Sequence, residues 1–330
     1  MLDGAGALSS AAGPREVEQI TAELIGAELF RVLEAGEDGL RFSVWFEELV
    51  GAAQAVDAEY GSRLLYGLAA IASPEQAEVC RKALQGIADA PEGLDDLLHI
   101  SATGEVLRMR DAYGTRFGVI AGFSYGDTPF VYLFDIEGAE AVRLASAGVF
   151  DDVDQAVDAW AAEVGESADG VTPRPVGGPE DLLCLTDLAI GDFHVFGDES
   201  RVVMDNWFRA QRHIRDLAEL LPPPAPLFDF DATPMIAAFT AWYEDRRGAE
   251  PDPDAVASLA EQWMEAALPE TWYSVSPLRI RTQRALIGDW LPGDPVTLAA
   301  QDLLPDLAAW LAERAKLPDH LREQVVAATK

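Results

Sequence analysis

The spacing of apolar residues changes twice along this chain, and this change limits the folds open to it. Between residues 14 and 99 apolar side chains such as Val17 and Ile20 recur at steps of three and four, which is typical of helices. Residues 100–147 contain short segments rich in Val, Phe, Tyr and Ile, separated by turn-forming clusters, which is typical of antiparallel strands. Residues 226–330 return to the helical pattern. The sequence therefore predicts a predominantly helical α+β fold, with helical subdomains flanking a small antiparallel sheet of three to four strands.

Local signals place several elements within this outline. The predicted strands are residues 105–110, 116–125, 130–136 and 141–147. After them, Asp151 and Asp152 supply a helix cap, and the following apolar face predicts a helix that lies across the sheet with Trp160 as its main contact. Ser73 followed by Pro74 predicts a helix start in the N-terminal part.

Segments rich in Gly, Pro and Ser indicate where the chain divides. We predict a disordered tail at 1–13, a helical N-terminal subdomain at 14–99, an α+β unit at 100–165, a linker or long loop at 166–181, a mixed connecting segment at 182–225 and an all-helical C-terminal subdomain at 226–330. In the connecting segment, the secondary structure of LLCLTDLAI (182–190) and FHVF (193–196) is ambiguous, and both are compatible with strands. Residues 202–221 predict a helix, which ends at the prolines that follow it.

The charge balance bears on the kind of partner. At 330 residues and 49% hydrophobic composition the chain can bury a sizeable core. Its formal charge is -33, from 57 acidic and 24 basic residues. Such a field repels nucleic acids and anionic membranes, so we expect neither direct nucleic-acid binding nor membrane binding. The simplest interpretation of this negative charge is that it keeps the protein soluble.

The remaining composition favours a cytoplasmic bacterial protein. Cys80 and Cys184 have neither zinc-ligand spacing nor the density of a disulfide framework, which favours reduced thiols. The first residues lack the basic and apolar regions of a secretory signal, and no run of about 18 apolar residues predicts a membrane span. Of the 24 basic residues only Lys82, Lys316 and Lys330 are lysine, as a GC-rich codon pool would produce.

One short motif resembles part of an enzyme family. LFDFDAT, residues 227–233, is similar to the first motif of the haloacid dehalogenase superfamily, in which two aspartates flank one residue and a threonine follows. The resemblance implies a metal-dependent phosphohydrolase, with Asp229 attacking phosphorus and Asp231 acting as acid and base. That chemistry needs both carboxylates at the end of a buried parallel strand, whereas PPPAP precedes the motif here. The competing interpretation is a helix start, with Thr233 as N-cap and Pro234 in the first position.

Other chemical signals in the sequence are weak. Hard oxygen ligands and one imidazole suited to a divalent cation lie together at Asp192, His194, Asp198 and Glu199. Their spacing matches no known signature, and a solvated acidic turn is the favoured interpretation, so we assign no metal site. The chain also lacks a P-loop, a G-x-G-x-x-G segment and an H-E-x-x-H motif. We therefore assign no cofactor and no catalytic residue.

The scarce positive charge is more informative, because guanidinium groups suit carboxylate and phosphate. Alternation along a strand places Arg108 and Arg110 on one face, and Arg116 opens the next strand close to Tyr113. We predict this sheet face as the binding site, with the three arginines and Tyr113 as anion and ring contacts. An alternative anion site comprises Arg209, Arg212, His213 and Arg215, and a third group is Arg279, Arg281 and Arg284. The competing interpretation is that these arginines neutralise the protein's own carboxylates.

These observations predict a non-enzymatic protein-binding or regulatory protein, which recognises a protein partner through a sheet face or a groove between helical parts. Two alternatives stay open. One is the metal-dependent phosphohydrolase that uses Asp229 and Asp231. The other is an acidic mimic of nucleic acid that inhibits a DNA- or RNA-binding protein, which requires its carboxylates to form an elongated stripe.

Overall fold

The computed structural model describes residues 5–36, 39–56, 58–86, 93–139, 141–190, 201–223, 230–265 and 267–330. In these ranges the α-helices are α1 (Pro14–Glu34), α2 (Gly39–Ala55), α3 (Ala58–Ile71), α4 (Pro74–Leu84), α5 (Val153–Val164), α6 (Leu183–Ile190), α7 (Arg201–Asp216), α8 (Thr233–Arg247), α9 (Pro253–Met264), α10 (Pro277–Gly288), α11 (Pro295–Arg314) and α12 (Asp319–Ala327). The predicted class, a predominantly helical α+β fold, is confirmed.

The helix starts follow the expected chemistry. The Ser73 hydroxyl accepts a hydrogen bond from the Gln76 backbone N–H, and Pro74 occupies the first turn of α4. Asp152 caps α5 in the same way, through the backbone N–H of Gln155. The sequence predicts both caps, because a short polar side chain satisfies a backbone donor that the helix itself leaves unpaired.

The sheet is antiparallel throughout its described strands. Its strands are β1 (Ser101–Arg110), β2 (Arg116–Tyr125), β3 (Thr128–Glu137), β4 (Arg143–Phe150) and β5 (Arg174–Pro175), in the order β4-β3-β2-β1-β5. The fifth strand exceeds the predicted three to four and lies in the segment predicted as a linker. Two residues suffice for it because Leu107 and Arg108 of β1 offer a free edge. Pro175 is tolerated there because an edge strand needs fewer backbone donors.

Helices cover both faces of the sheet. One face carries aromatic side chains, including Phe123 and Tyr132, into a large core that it shares with α1 to α4, α6 and α7. The other face, with Met109 and Ile120, packs against Trp160 of α5, as predicted. The division proposed at residue 99 therefore separates segments that share one apolar core, and the domain boundaries stay a prediction.

The C-terminal helices α8 to α12 have a second core of their own. Tyr113, from the turn between β1 and β2, is the residue that the sheet contributes to it. The two cores therefore meet at one end of the sheet, where Leu268 of the C-terminal part also packs into the main core.

One local expectation is wrong, and the structure decides one ambiguous segment. The predicted disordered tail does not hold for residues 5–13, because Ala5–Ser10 form a 3-10 helix and Leu8 is fully buried. The Arg63 guanidinium fixes this segment by donating to the carbonyls of Leu8 and Ala11, at 3.0 and 2.7 Å. Residues 183–190, which the sequence left ambiguous, form α6, and Leu185 and Leu188 are buried on one helical face. The segment 193–196 lies outside the described residues.

Candidate functional site

The predicted site on the sheet is divided between its two faces. Arg108 and Arg110 do share a face, and their guanidinium carbons lie 4.6 and 5.6 Å from the centre of the Phe117 ring. The register pairs Arg110 with Phe117, which places the adjacent Arg116 on the opposite face. The three arginines therefore do not form the single cluster that the sequence predicted.

Arg108 and Arg110 join the sheet to the C-terminal helices. Arg108 is buried and pairs with Asp181 at 3.1 Å and with Glu270 at 2.5 Å. Arg110 donates to the carbonyl oxygen of Glu270 at 2.8 Å and to the Ser274 hydroxyl at 2.9 Å. These contacts form a polar joint between the two cores.

Tyr113 and Arg116 are also engaged within the chain. The Tyr113 hydroxyl donates to Gln324 of α12 at 2.7 Å. Arg116 forms a bidentate ion pair with the fully buried Asp135, in which Nε and Nη2 donate to the two carboxylate oxygens at 2.6 and 2.7 Å. All four residues of the predicted site thus meet partners from this chain. For Arg108 and Arg116 this arrangement matches the competing interpretation, in which the arginines neutralise the protein's own carboxylates, whereas Arg110 donates to carbonyl oxygens and a hydroxyl.

A small cleft lies where the sheet meets α10. Its volume is about 220 Å³, and its lining includes Asp111, Tyr113, Arg116, Glu137 and Arg281. Burial raises the pKa of Glu137 to about 7, with Arg116 opposing the shift and Asp111 adding to it. A carboxyl group of this kind holds its proton in the folded protein at a pH where the unfolded chain has released it.

The stability of the protein should record this shift. Since folding raises the pKa of Glu137 from 4.5 to about 7, the folded state binds the extra proton between these values, and this contribution is lost as pH rises through that window. Glu137→Gln removes the titration. We therefore expect the free energy of unfolding of the variant, relative to wild type, to increase by about 2 kcal/mol between about pH 5 and pH 8. Urea unfolding at several pH values measures it, with the exposed Glu105→Gln as control, and a difference independent of pH would contradict the assignment.

The alternative anion site on α7 is likewise divided. Arg209 and His213 point into the main core, where Glu18 of α1 lies 3.7 Å from Arg209 Nε and 3.6 Å from His213 Nε2. Tyr125 donates its hydroxyl to the same carboxylate. The His213 ring packs among aromatic side chains of the sheet, with centroids 4.4 Å from Phe123 and 4.5 Å from Tyr132. We call Glu18, Tyr125, Arg209 and His213 the buried charge cluster.

Arg212 and Arg215 face the end of α3 instead. Arg212 Nε donates to both carboxylate oxygens of Asp216, at 2.9 and 3.0 Å, and its Nη1 donates to the Ala70 carbonyl. Arg215 donates to the Ala72 carbonyl at 2.9 Å. Of the four predicted residues, Arg215 is the one that lines a large cavity between helices.

This cavity is a groove of about 620 Å³ that runs between α1, α2, α4 and α7. Its apolar lining includes Leu29, Val32, Phe42, Phe46, Trp207 and Phe208. Its polar lining includes Glu47, Ser73, Glu75, Gln76, Gln211 and Arg215. A cavity of this size, with apolar walls and a few polar groups, is typical of a binding site. We call it the interhelical groove.

Apolar side chains continue from the interhelical groove onto the surface. Val79 of α4 lines the groove and is 44% exposed. On α2, Leu40 and Val44 are 70% and 43% exposed. They lie one turn apart on the helix whose Phe42 and Phe46 line the groove. Exposed apolar side chains beside a cavity, such as Val79 here, are typical of interaction sites.

The motif similar to haloacid dehalogenases lies in a different setting. Asp231 is exposed and its carboxylate accepts the backbone N–H of Thr233 at 2.9 Å, whereas Ala232 occupies the N-cap position of α8, so Thr233 is not the N-cap. Thr233 is already the first residue of that helix. In the described ranges no parallel strand leads into this turn. Asp229 lies outside the described residues, as does the acidic turn of Asp192, His194, Asp198 and Glu199.

Metal-ligand clusters and membrane spans are both absent from the part of the chain that the structure describes. Across these ranges, no three or more His, Cys, Asp or Glu side chains are grouped so that they could hold a metal ion. None of the helices α1 to α12 is both long and apolar enough to cross a membrane.

Fold and groove together define a helical α+β protein with a cavity between its N-terminal helices and α7. No family model, curated protein or solved structure matches the chain.

Proposed function

We propose that this chain is a non-catalytic protein-binding protein of the bacterial cytoplasm, which receives a helical segment of its partner in the interhelical groove. One observation carries the proposal: a cavity of about 620 Å³ is lined at its solvent-exposed edge by the apolar side chain of Val79. A helix that lays its apolar face into a hydrophobic groove is a recurring mode of protein recognition.

The sheet is a weaker choice for this role. Packed helices cover both of its faces, whereas the groove opens to solvent beside Val79. The formal charge of -33 favours a basic partner, because opposite fields accelerate association and reject acidic competitors. The phosphohydrolase and the nucleic-acid mimic stay predictions.

Capture of a partner by matched variants tests this proposal. Wild-type protein, Val79→Asp and Leu298→Asp are immobilised and exposed to native cell extract at low and moderate salt. Leu298 is a suitable control because it is also an exposed apolar residue, at 52%, and lies on α11 away from the groove. We expect a stoichiometric protein on wild type and on Leu298→Asp, and at least about tenfold less on Val79→Asp, because the new carboxylate has to be desolvated in the interface.

Two results would overturn the proposal. One is equal retention of the same protein by Val79→Asp. The other is metal-dependent turnover of a generic phosphatase substrate by the wild type that Asp229→Asn abolishes.

A further inference from the structure

The interhelical groove differs chemically along its length. Phe42 and Phe208 stack at a centroid distance of 5.5 Å and mark its apolar part. Arg215 lies two turns further along α7, about 10 Å from Phe208, and its bond to Ala72 places it beside Ser73 at the start of α4. We call this region, with Ser73, Gln76, Gln211 and Arg215, the polar end of the groove.

Arg215 brings positive charge to the polar end of the groove. Within the described residues, no carboxylate pairs directly with this charge. Its guanidinium donates to the Ala72 carbonyl, and across the same ranges no carboxylate lies within 4.0 Å of it. The neighbouring Asp216 is taken by Arg212, through both of its oxygens. The site therefore lacks the carboxylate that a partly buried guanidinium favours.

The surroundings of Arg215 also favour a negatively charged partner. Burial lowers the pKa of Arg215, the nearby Arg212 lowers it further, and Asp216 opposes the change. The positive end of α4 adds to the positive potential, since Ser73 is the N-cap of this helix. Glu47 and Glu75 also line the groove, but both are exposed, so they suit basic groups on the solvent side of an occupant.

We infer that the occupant of the groove is a helical protein segment whose apolar face ends in a carboxylate, and that this carboxylate pairs with Arg215. The inference rests on the proposed function and deepens it, because it makes Arg215 the residue that selects among apolar helices and fixes their direction. Basic residues on the outer side of the segment then face Glu47 and Glu75. A fork-shaped contact between guanidinium and carboxylate supplies both the affinity and the orientation.

A peptide selection tests the inference even while the partner is unidentified. The library consists of amphipathic peptides of about 20 residues, long enough to be helical when bound, with a fixed apolar face and a basic outer face. Each position next to the apolar face is either Glu or Gln. Selection is carried out on wild type, Arg215→Gln, Arg215→Lys and the control Arg81→Gln, which removes an exposed arginine of α4 that pairs with Glu78. Thermal unfolding verifies that each variant is folded.

We expect wild type and Arg81→Gln to favour Glu over Gln at one end of the apolar face by about tenfold, as a hydrogen bond to a charged group would produce. Arg215→Gln should still bind apolar peptides but lose this preference, and Arg215→Lys should keep part of it. Binding with no preference, or a preference that survives Arg215→Gln, overturns the inference and leaves the proposed function standing. Failure of every peptide to bind counts against both. If palmitate binds in an Arg215-dependent manner and no peptide does, a small amphiphilic carboxylate takes the place of the helix and the inference is wrong.

Discussion

Replacement of Glu18 by glutamine is expected to lower the free energy of unfolding by about 3 to 5 kcal/mol. Glu18 and His213 are fully buried and Arg209 is nearly so. The Glu18 carboxylate faces Arg209 and His213 at 3.7 and 3.6 Å. Without this charge the Arg209 guanidinium stays in the core uncompensated, which costs far more than the loss of a surface pair. Urea unfolding followed by circular dichroism measures the difference.

Matched variants separate charge from side-chain loss in this experiment. Glu23→Gln makes the same chemical change at an exposed position of α1 and should alter stability by less than about 0.5 kcal/mol. The double variant Glu18→Gln with Arg209→Gln should lose less than the sum of the single variants, because the two side chains share one interaction. A loss below about 1 kcal/mol for Glu18→Gln would show that the buried charge cluster does not hold α1, α7 and the sheet together.

The second large effect concerns the polar joint at the end of the sheet. Arg108→Gln is expected to lower the free energy of unfolding by about 3 kcal/mol, since it deprives Asp181 and Glu270 of a buried cation. It also removes the guanidinium that lies over Phe117 at 4.6 Å. Because this joint connects the sheet to the C-terminal helices, limited proteolysis of the variant should release that part of the chain more readily.

Arg174 provides the control for this prediction. It pairs with the same Asp181 at 3.4 Å but is 61% exposed, so Arg174→Gln should cost less than about 0.5 kcal/mol. If Arg108→Gln also cost less than about 1 kcal/mol, the guanidinium would not be needed for the fold. It would then be free to meet an external anion, as the sequence predicted.

Local signals in the sequence were sufficient for most of the sheet. Strand β2 has the predicted bounds, because both of its turns carry Gly and polar residues. Strand β1 begins at Ser101 rather than residue 105, since its first residues are exposed and its pairing is irregular between Ala102 and Val106, which leaves no alternation to detect. The short apolar run of α6 is compatible with strand or helix, and only packing decides between them.

The binding groups were harder to locate, since their faces depend on contacts that are distant in sequence. Alternation correctly paired Arg108 with Arg110, but the face of Arg116 is set by the register across the turn. The partners of Arg108 lie 73 and 162 residues away, at Asp181 and Glu270. The exposure of Val79 could not be predicted from the spacing of apolar residues in α4, because it depends on how α4 is placed beside the groove.

Photo-cross-linking from inside the interhelical groove tests the central claim most directly. A benzophenone side chain replaces Val79 in one protein and Leu298 in another, and each is irradiated in native extract. We predict one dominant cross-linked protein from position 79, joined through a segment with a helical apolar face, and no such product from position 298. Equal products from both positions, or a captured protein that never cross-links from position 79, would show that recognition takes place elsewhere on the molecule.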